Sequence, residues 1–307
     1  LAFLLPAAAA FLFAAFFLYT LLTSDSRRFN QITEEFFSAS LSGDSLSLHY
    51  TLADPSPYLD PPHPACLPVY TADGQRETGA ALENLLAALR EINPQRLNRY
   101  DRYTLSLLIP YLENELAGTR CAYFEEPLSP TSGMHTQLPI LLAEYTFRTA
   151  QDLEDYMDIL ESVPAYLEGL AQYEKEKAAA GLFMSQADAT AVVKQCDQIM
   201  DPGLLENGSH FLQVTFAERL EELIASGVID ASQRESLISE DDRLLRTVVA
   251  PAYVALADDI FLLSDSGSLE GSVCQATGGS AYYTYLLRRN TGTRRTPEEV
   301  NELLSAQ

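Results

Sequence analysis

The chain has 307 residues, 47% of them hydrophobic and 21% charged, a globular composition with enough apolar material for a sizeable core, which excludes wholesale disorder. Acids outnumber bases 43 to 20, a formal charge of −23, and a surface of that sign argues against nucleic acid as a partner. Four cysteines with no Cys-x-x-Cys are too sparse for a disulfide scaffold.

Residues 1–23 carry no charge, and about 20 helical residues cross a bilayer core. The first element is therefore read as a transmembrane or signal segment over 1–24. An uncleaved anchor fits better than a cleaved signal peptide, because the apolar run is long and the small residues Ala8 and Ala10 lie inside it. Secretion after cleavage is the alternative. No Cys follows the run, so a lipid-attached N-terminus is not expected. The remainder, 25–307, is expected outside the cytoplasm on a single N-terminal span.

An amphipathic helix follows over 26–42, with Phe29, Ile32, Phe36 and Ala39 on one face. Pro55, Pro57, Pro61, Pro62, Pro64 and Pro68 then forbid regular structure and predict a loop or a strap lying on the body. Helices are predicted over 79–92, burying Leu82, Leu85, Leu86 and Leu89, and over 97–116, kinked at Pro110. Tyr123 to Pro139 reads as a second Pro-rich irregular segment. Thr149 with Asp152 makes a capping box, and Leu153, Tyr156, Leu160, Val163, Leu167 and Leu170 form an unbroken apolar stripe behind it. Val192, Val193, Cys196, Ile199 and Met200 mark the next helix, ended by Asp201-Pro202-Gly203. Val214, Ala217, Leu220 and Ile224 mark another. A long helix over 232–263 carries a kink near Pro251. Gly278-Gly279 opens a Tyr-rich helix, and Thr296, Pro297 and Glu299 start the last one. Few segments alternate with period two. The fold class is all-α, in one domain over 25–307, and the helical pattern at 301–307 predicts that the natural protein continues.

Chemistry is sparse. His49, His63, His135 and His210 lack metal-site spacing, and there is no P-loop, dinucleotide fingerprint or Gly-x-Ser-x-Gly. Gly43-Asp44-Ser45-Leu46 with Asp60-Pro61-Pro62-His63 spells an esterase-like pair, but the Ser ends a helix rather than a strand, so a helix terminator and turn residues are expected there. Cys66, Cys121, Cys196 and Cys274 could pair outside the cytoplasm, although Cys196 on an apolar face reads as a buried free thiol. His135 reads as a structural histidine. Asn207-Gly208-Ser209 is a formal glycosylation acceptor. Only three lysines stand against seventeen arginines, and Arg288, Arg289, Arg294 and Arg295 cluster within eight residues, suited to binding carboxylates or simply solvated. Helical spacing puts Tyr282 and Tyr285 on one face and Tyr283 on another.

Three stretches together resemble one bacterial family. They are Leu128-Ser129-Pro130-Thr131-Ser132-Gly133-Met134 leading to Gln137-Leu138-Pro139-Ile140, Tyr173-Glu174-Lys175-Glu176-Lys177 through Gly181-Leu182-Phe183-Met184, and Gly278-Gly279-Ser280-Ala281-Tyr282-Tyr283 running into Leu286-Leu287-Arg288. In order and spacing they are similar to the domain-of-unknown-function 885 proteins, from about Phe29 to the last residue and over only the N-terminal half of a member. The resemblance implies a helical, zinc-metallopeptidase-like protein whose His-Glu-x-x-x-Pro-Gly-His-type segment lies beyond residue 307. It therefore implies zinc for the full-length protein but no cofactor, metal ligand or catalytic residue in this chain, and a peptide substrate. Gln137, Tyr282, Tyr283 and Arg288 are the substrate-binding candidates it implies. A non-catalytic extracytoplasmic binding module is the alternative.

Overall fold

The computed structural model describes residues 25–40, 43–54, 64–121, 123–266 and 271–306. The uncharged N-terminal run and the Asp60–His63 pair lie outside the described residues, as do Pro55, Pro57, Pro61 and Pro62. Among the described residues the regular structure is all helical, and no helix is long and apolar enough to cross a membrane.

The chain divides into two compact units and crosses from one to the other four times. The first takes the described residues of Leu1–Ser40, Gln75–Cys121 and Ser280–Gln307; the second takes those of Leu41–Gly74 and Ala122–Gly279. Two of the crossings fall inside helices.

The first unit is built on α1 (25–40), α3 (Ala72–Arg90) and α4 (Arg99–Thr119), with α12 (Gly279–Thr291) and α13 (Pro297–Ser305) from the C-terminal stretch. Phe29, Leu86, Leu89, Ile92, Leu97, Leu105 and Leu112 form its core. The helix α3 begins at Ala72, seven residues before the predicted start, because the Thr71 hydroxyl accepts from the Gly74 amide and caps it. Asn98 caps α4 by accepting from the Asp101 amide, and its own amide donates 2.7 Å to the Asp101 carboxylate. Ser26 of α1 donates to the same carboxylate oxygen at 3.3 Å. Thr296 and Glu299 form the capping box of α13, as read from the sequence.

The second unit comprises α2 (Ser45–Thr51), α5 (Met134–Glu144), α6 (Ala150–Ala179), α7 (Gln186–Ile199), α8 (Pro202–Glu206), α9 (Phe211–Ala225), α10 (Arg234–Leu244) and α11 (Ala250–Leu263). The 30-residue α6 is its axis. The Thr149–Asp152 capping box starts it, and every member of the predicted stripe from Leu153 to Leu170 is buried. The helix α11 packs on α6 and α7, α10 on α9, and α5 on α7 and α9. A π-helical turn, Leu245–Val249, joins α10 to α11 just before Pro251, where the sequence predicts a kink. The described end of the Pro-rich segment is a strap on α6. The Ala65 and Leu67 amides donate to Asp158 and Ser162, and Tyr70 passes so close that a β-carbon on Gly169 would stand 2.8 Å from its carbonyl oxygen.

Three predicted details are corrected. The second irregular segment ends at Gly133, not Pro139, because α5 runs through that proline. Pro139 has no amide hydrogen, so the His135 carbonyl loses its helical donor; the buried Tyr253 hydroxyl of α11 donates to it at 2.8 Å instead. Asp201 does not merely end α7: its carboxylate caps the short α8. In α9 the buried face is Leu212, Phe216, Leu220 and Leu223, while Val214 is exposed. Two sets of residues there have helical spacing, and the one carrying the bulkier Phe216 turns inward.

Candidate functional site

The sequence-predicted residues fall in both units. Tyr282, Tyr283 and Arg288 lie on α12 of the first unit, and Gln137 lies on α5 of the second.

The Gly278-Gly279 pair sets the start of α12. Gly278 has φ +91°, and a β-carbon on Gly279 would stand 1.6 Å from the Val273 carbonyl oxygen, so no other residue fits at 279. From there the helix presents Tyr282 and Tyr285 inward, both buried, and Tyr283 outward, as the spacing predicts. The Tyr285 ring lies on Gly118 of α4, where a β-carbon would come within 2.6 Å of it. The Asn114 amide donates to the Tyr285 carbonyl, and Arg289 donates 3.1 Å to the Tyr285 hydroxyl. This pairing leaves a groove of about 490 Å³ between α4 and the C-terminal end of α12. Arg288, Arg289 and Arg294 line one side; Glu113, Asn114 and Glu115 line the other. Glu113 is already bound to Arg90 at 2.7 Å. Arg288 and Arg294 form no ion pair with any described residue. In a chain of charge −23, guanidinium groups left uncommitted along one groove are positioned to take a ligand's carboxylate in bidentate fashion.

Gln137 stands on the rim of a separate hollow of about 580 Å³ in the second unit. Leu46, Leu67, Met134, Leu138 and Leu141 give it an apolar floor, and Asp44, Ser47, Tyr50 and Ser132 are its polar groups. Tyr50 donates 2.7 Å to the Leu141 carbonyl. Burial beside Asp44 pushes the Tyr166 hydroxyl up to about 12. The Gly43-Asp44-Ser45 sequence is a turn and cap here, as expected. Gly43 has φ +82°, Asp44 caps α2, and the Ser45 hydroxyl accepts from the Cys66 amide.

The four cysteines are free thiols, with Cys121 and Cys196 buried. His135 is structural: its Nε2 pairs with Gln195 at 2.9 Å, Gln195 in turn donates to the Pro130 carbonyl, and burial holds its pKa low. His210 caps α9, accepting from the Leu212 amide at Nδ1 and donating 2.7 Å to the Ile199 carbonyl from Nε2. His49 stacks on Tyr145 at 3.7 Å with Asp152 beside it. Among the described residues no three His, Cys, Asp or Glu side chains converge to hold a metal ion.

Two buried acid sites went unread in the sequence. On α6, Glu174 and Lys177 are both fully buried, with Lys177 Nζ 3.4 Å from Glu174 Oε1 and the other carboxylate oxygen without a donor. Burial raises Glu174 to about 7 against the pull of Lys177. On α10, Asp241 is buried and raised to about 8 by burial, with Asp242 adding to the rise and Arg219 opposing it. The signal was present in both cases. Glu174 and Lys177 continue the Val163, Leu167, Leu170 stripe, and Asp241 sits in helical register with Leu237, Leu244 and Leu245.

A family model described as a bacterial protein of unknown function, DUF885, matches residues 61–307. The chain belongs to the DUF885 family. The motifs that carried the resemblance occupy α5 and the turn before it, α6 with the turn after it, and α12 of this family member. Its fold is similar to the crystal structure described as a "putative lipoprotein from Colwellia psychrerythraea", with a TM-score of 0.70 at 15% identity. That match covers 92% of this chain and 48% of the other, so the chain spans about half the length of the solved structure it matches. No curated protein matches it.

Proposed function

We propose that this chain is the N-terminal, substrate-lining part of a membrane-anchored, extracytoplasmic DUF885 peptidase whose zinc-binding His-Glu segment follows residue 307. The observation that carries this reading is the coverage: nearly all of this chain corresponds to less than half of a longer, similarly folded one. The relative's description as a lipoprotein supports membrane association outside the cytoplasm, and the uncharged residues 1–23 supply the anchor. Zinc, bound by the later segment, supplies the electrophile. The residues here bind and orient. Arg288 and Arg294 take the carboxylate of a peptide terminus, and Tyr283 lies on the exposed face of the same helix. Exposed apolar residues mark surface that a following half covers: Tyr100, Tyr103, Leu107 and Tyr111 recur at helical spacing on α4, and Leu303 and Leu304 lie on α13.

The test uses the complete gene product with its downstream sequence, assayed against a peptide library by mass spectrometry, with zinc and with chelator. The expected result is zinc-dependent cleavage of peptides with free C-termini, with Arg288→Ala raising KM about tenfold for these and leaving C-terminally amidated peptides unchanged. Peptide binding without cleavage at any zinc concentration would establish a non-catalytic binding module instead. Equal use of free and amidated peptides would remove Arg288 from the site.

A further inference from the structure

The hollow beside Gln137 in the second unit is bounded by elements bonded to one another. The Ser45 amide donates to the Cys66 carbonyl and the Ser45 hydroxyl accepts from the Cys66 amide, tying α2 to the strap. The Leu67 amide donates to Ser162, tying the strap to α6, and Tyr50 donates to the Leu141 carbonyl, tying α2 to the last turn of α5. The walls are therefore set before any ligand arrives, and a volume of about 580 Å³ is that of a small-molecule site. Tyr166 of α6 lines the hollow at 7% exposed, and its hydroxyl forms no hydrogen bond with any described residue. The Tyr156 hydroxyl is also unpartnered but sealed in the core, whereas that of Tyr166 keeps accessible surface. Burial beside Asp44 holds the Tyr166 proton in place, so the group is a donor whose acceptor must come from the hollow.

The lining also says what the occupant is not. No Lys, Arg or His lines the hollow, and its one acid, Asp44, already accepts from the Ser47 amide at 3.0 Å and the Ser47 hydroxyl at 2.6 Å. An anion would face Asp44 with no base to balance it, and an ammonium would share a carboxylate committed to the α2 cap. The polar groups left over, Tyr166, Gln137 and Ser132, are neutral and form no side-chain hydrogen bond with any described residue. We infer that this hollow is a specificity pocket for a large aliphatic side chain of a peptide, with that side chain on Leu46, Leu67, Leu138 and Leu141, the Tyr166 hydroxyl donating to a peptide carbonyl and the Gln137 amide pairing with a peptide unit. An amide side chain carries both a donor and an acceptor, the complement of a peptide unit. The choice of a peptide rests on the function proposed above; the pocket and its unpartnered hydroxyl do not.

The experiment is calorimetric titration of the complete chain, without zinc, with N-acetyl-Ala-Leu-Ala-amide. Both ends of this peptide are blocked, so it offers no carboxylate to Arg288 and Arg294. Saturable binding is expected, with N-acetyl-Ala-Ala-Ala-amide at least about tenfold weaker. Tyr166→Phe should weaken binding by about two- to tenfold while leaving the urea midpoint unchanged, because the deleted oxygen bonds nothing in the fold. Gln137→Ala, at an exposed position, should weaken it several-fold, and it decides the matter if the Tyr166 variant does not fold. No saturation up to about 10 mM, equal affinity for the two peptides, unchanged affinity in Tyr166→Phe, or tighter binding of octanoate or octylammonium would overturn the inference. Binding here without cleavage by the complete gene product would keep the pocket and remove the peptidase; cleavage without this binding would do the reverse.

Discussion

The hydroxyl of Tyr253 carries a sharp prediction, because it repairs a defect the sequence itself creates. Pro139 removes the donor for the His135 carbonyl in the middle of α5, and Tyr253 replaces it from α11 at 2.8 Å, with both residues at most 1% exposed. Tyr253→Phe deletes one oxygen and leaves that carbonyl in a dry core, at a cost of about 1–3 kcal/mol. Pro139→Ala restores an amide hydrogen at the position from which α5 would normally serve His135. In that background the same Tyr253→Phe change should cost about 1 kcal/mol or less, giving a coupling of about 1–2 kcal/mol. The absolute effect of Pro139→Ala is set by helix propensity and does not enter the comparison. Urea denaturation of the four proteins, followed by far-ultraviolet circular dichroism because the chain has no Trp, measures the cycle. An equal cost of Tyr253→Phe in both backgrounds would show that the hydroxyl is not standing in for a missing helical donor.

Two further outcomes follow from the packing. Glu174 has a folded pKa of about 7 against an ordinary 4.5, so the folded state keeps a proton that the unfolded chain has released. Its contribution to stability therefore falls as pH rises from about 4.5 to about 7, by about 3 kcal/mol in all. The paired substitution Glu174→Gln/Lys177→Met should flatten this part of the stability–pH curve, and an unchanged slope in denaturation midpoints between pH 5 and 8 would refute the assignment. Gly118→Ala places a methyl 2.6 Å from the Tyr285 ring, so it should destabilise the first unit by about 1–2 kcal/mol even though alanine is the better helix former, with Tyr285→Ala relieving the clash. A thermal melt showing stabilisation by Gly118→Ala would contradict the packing of α4 on α12.

The helices were legible where side chains report their own burial. The stripe from Leu153 to Leu170, the Thr149 and Thr296 caps, and the inward Tyr282 and Tyr285 all follow from period and capping chemistry alone. What was not legible depends on a partner far along the chain. Pro139 reads as a breaker until Tyr253, 118 residues away, supplies its helix with a donor. Asp241 and Glu174 read as ordinary surface acids unless the stripes they interrupt are followed past them. His210 gives no cap signal, because histidine caps only when its far nitrogen has somewhere to donate, here the Ile199 carbonyl. The groove arginines were visible as a cluster, but that Arg288 and Arg294 pair with no described acid emerges only once α4 lies opposite. The two units were invisible for a topological reason: the chain passes between them four times, twice within a helix, in α3 at Gly74 and at the start of α12.

That interleaving governs how the molecule must be born. The core of the first unit draws on α1, α3 and α4, all synthesised early, yet α12 is contributed only after the whole second unit has been translated. Asn114 waits 171 residues for the Tyr285 carbonyl it will hold, about 10–30 s at ribosomal speeds. During that interval the seat around Gly118 lacks the Tyr285 ring that later fills it.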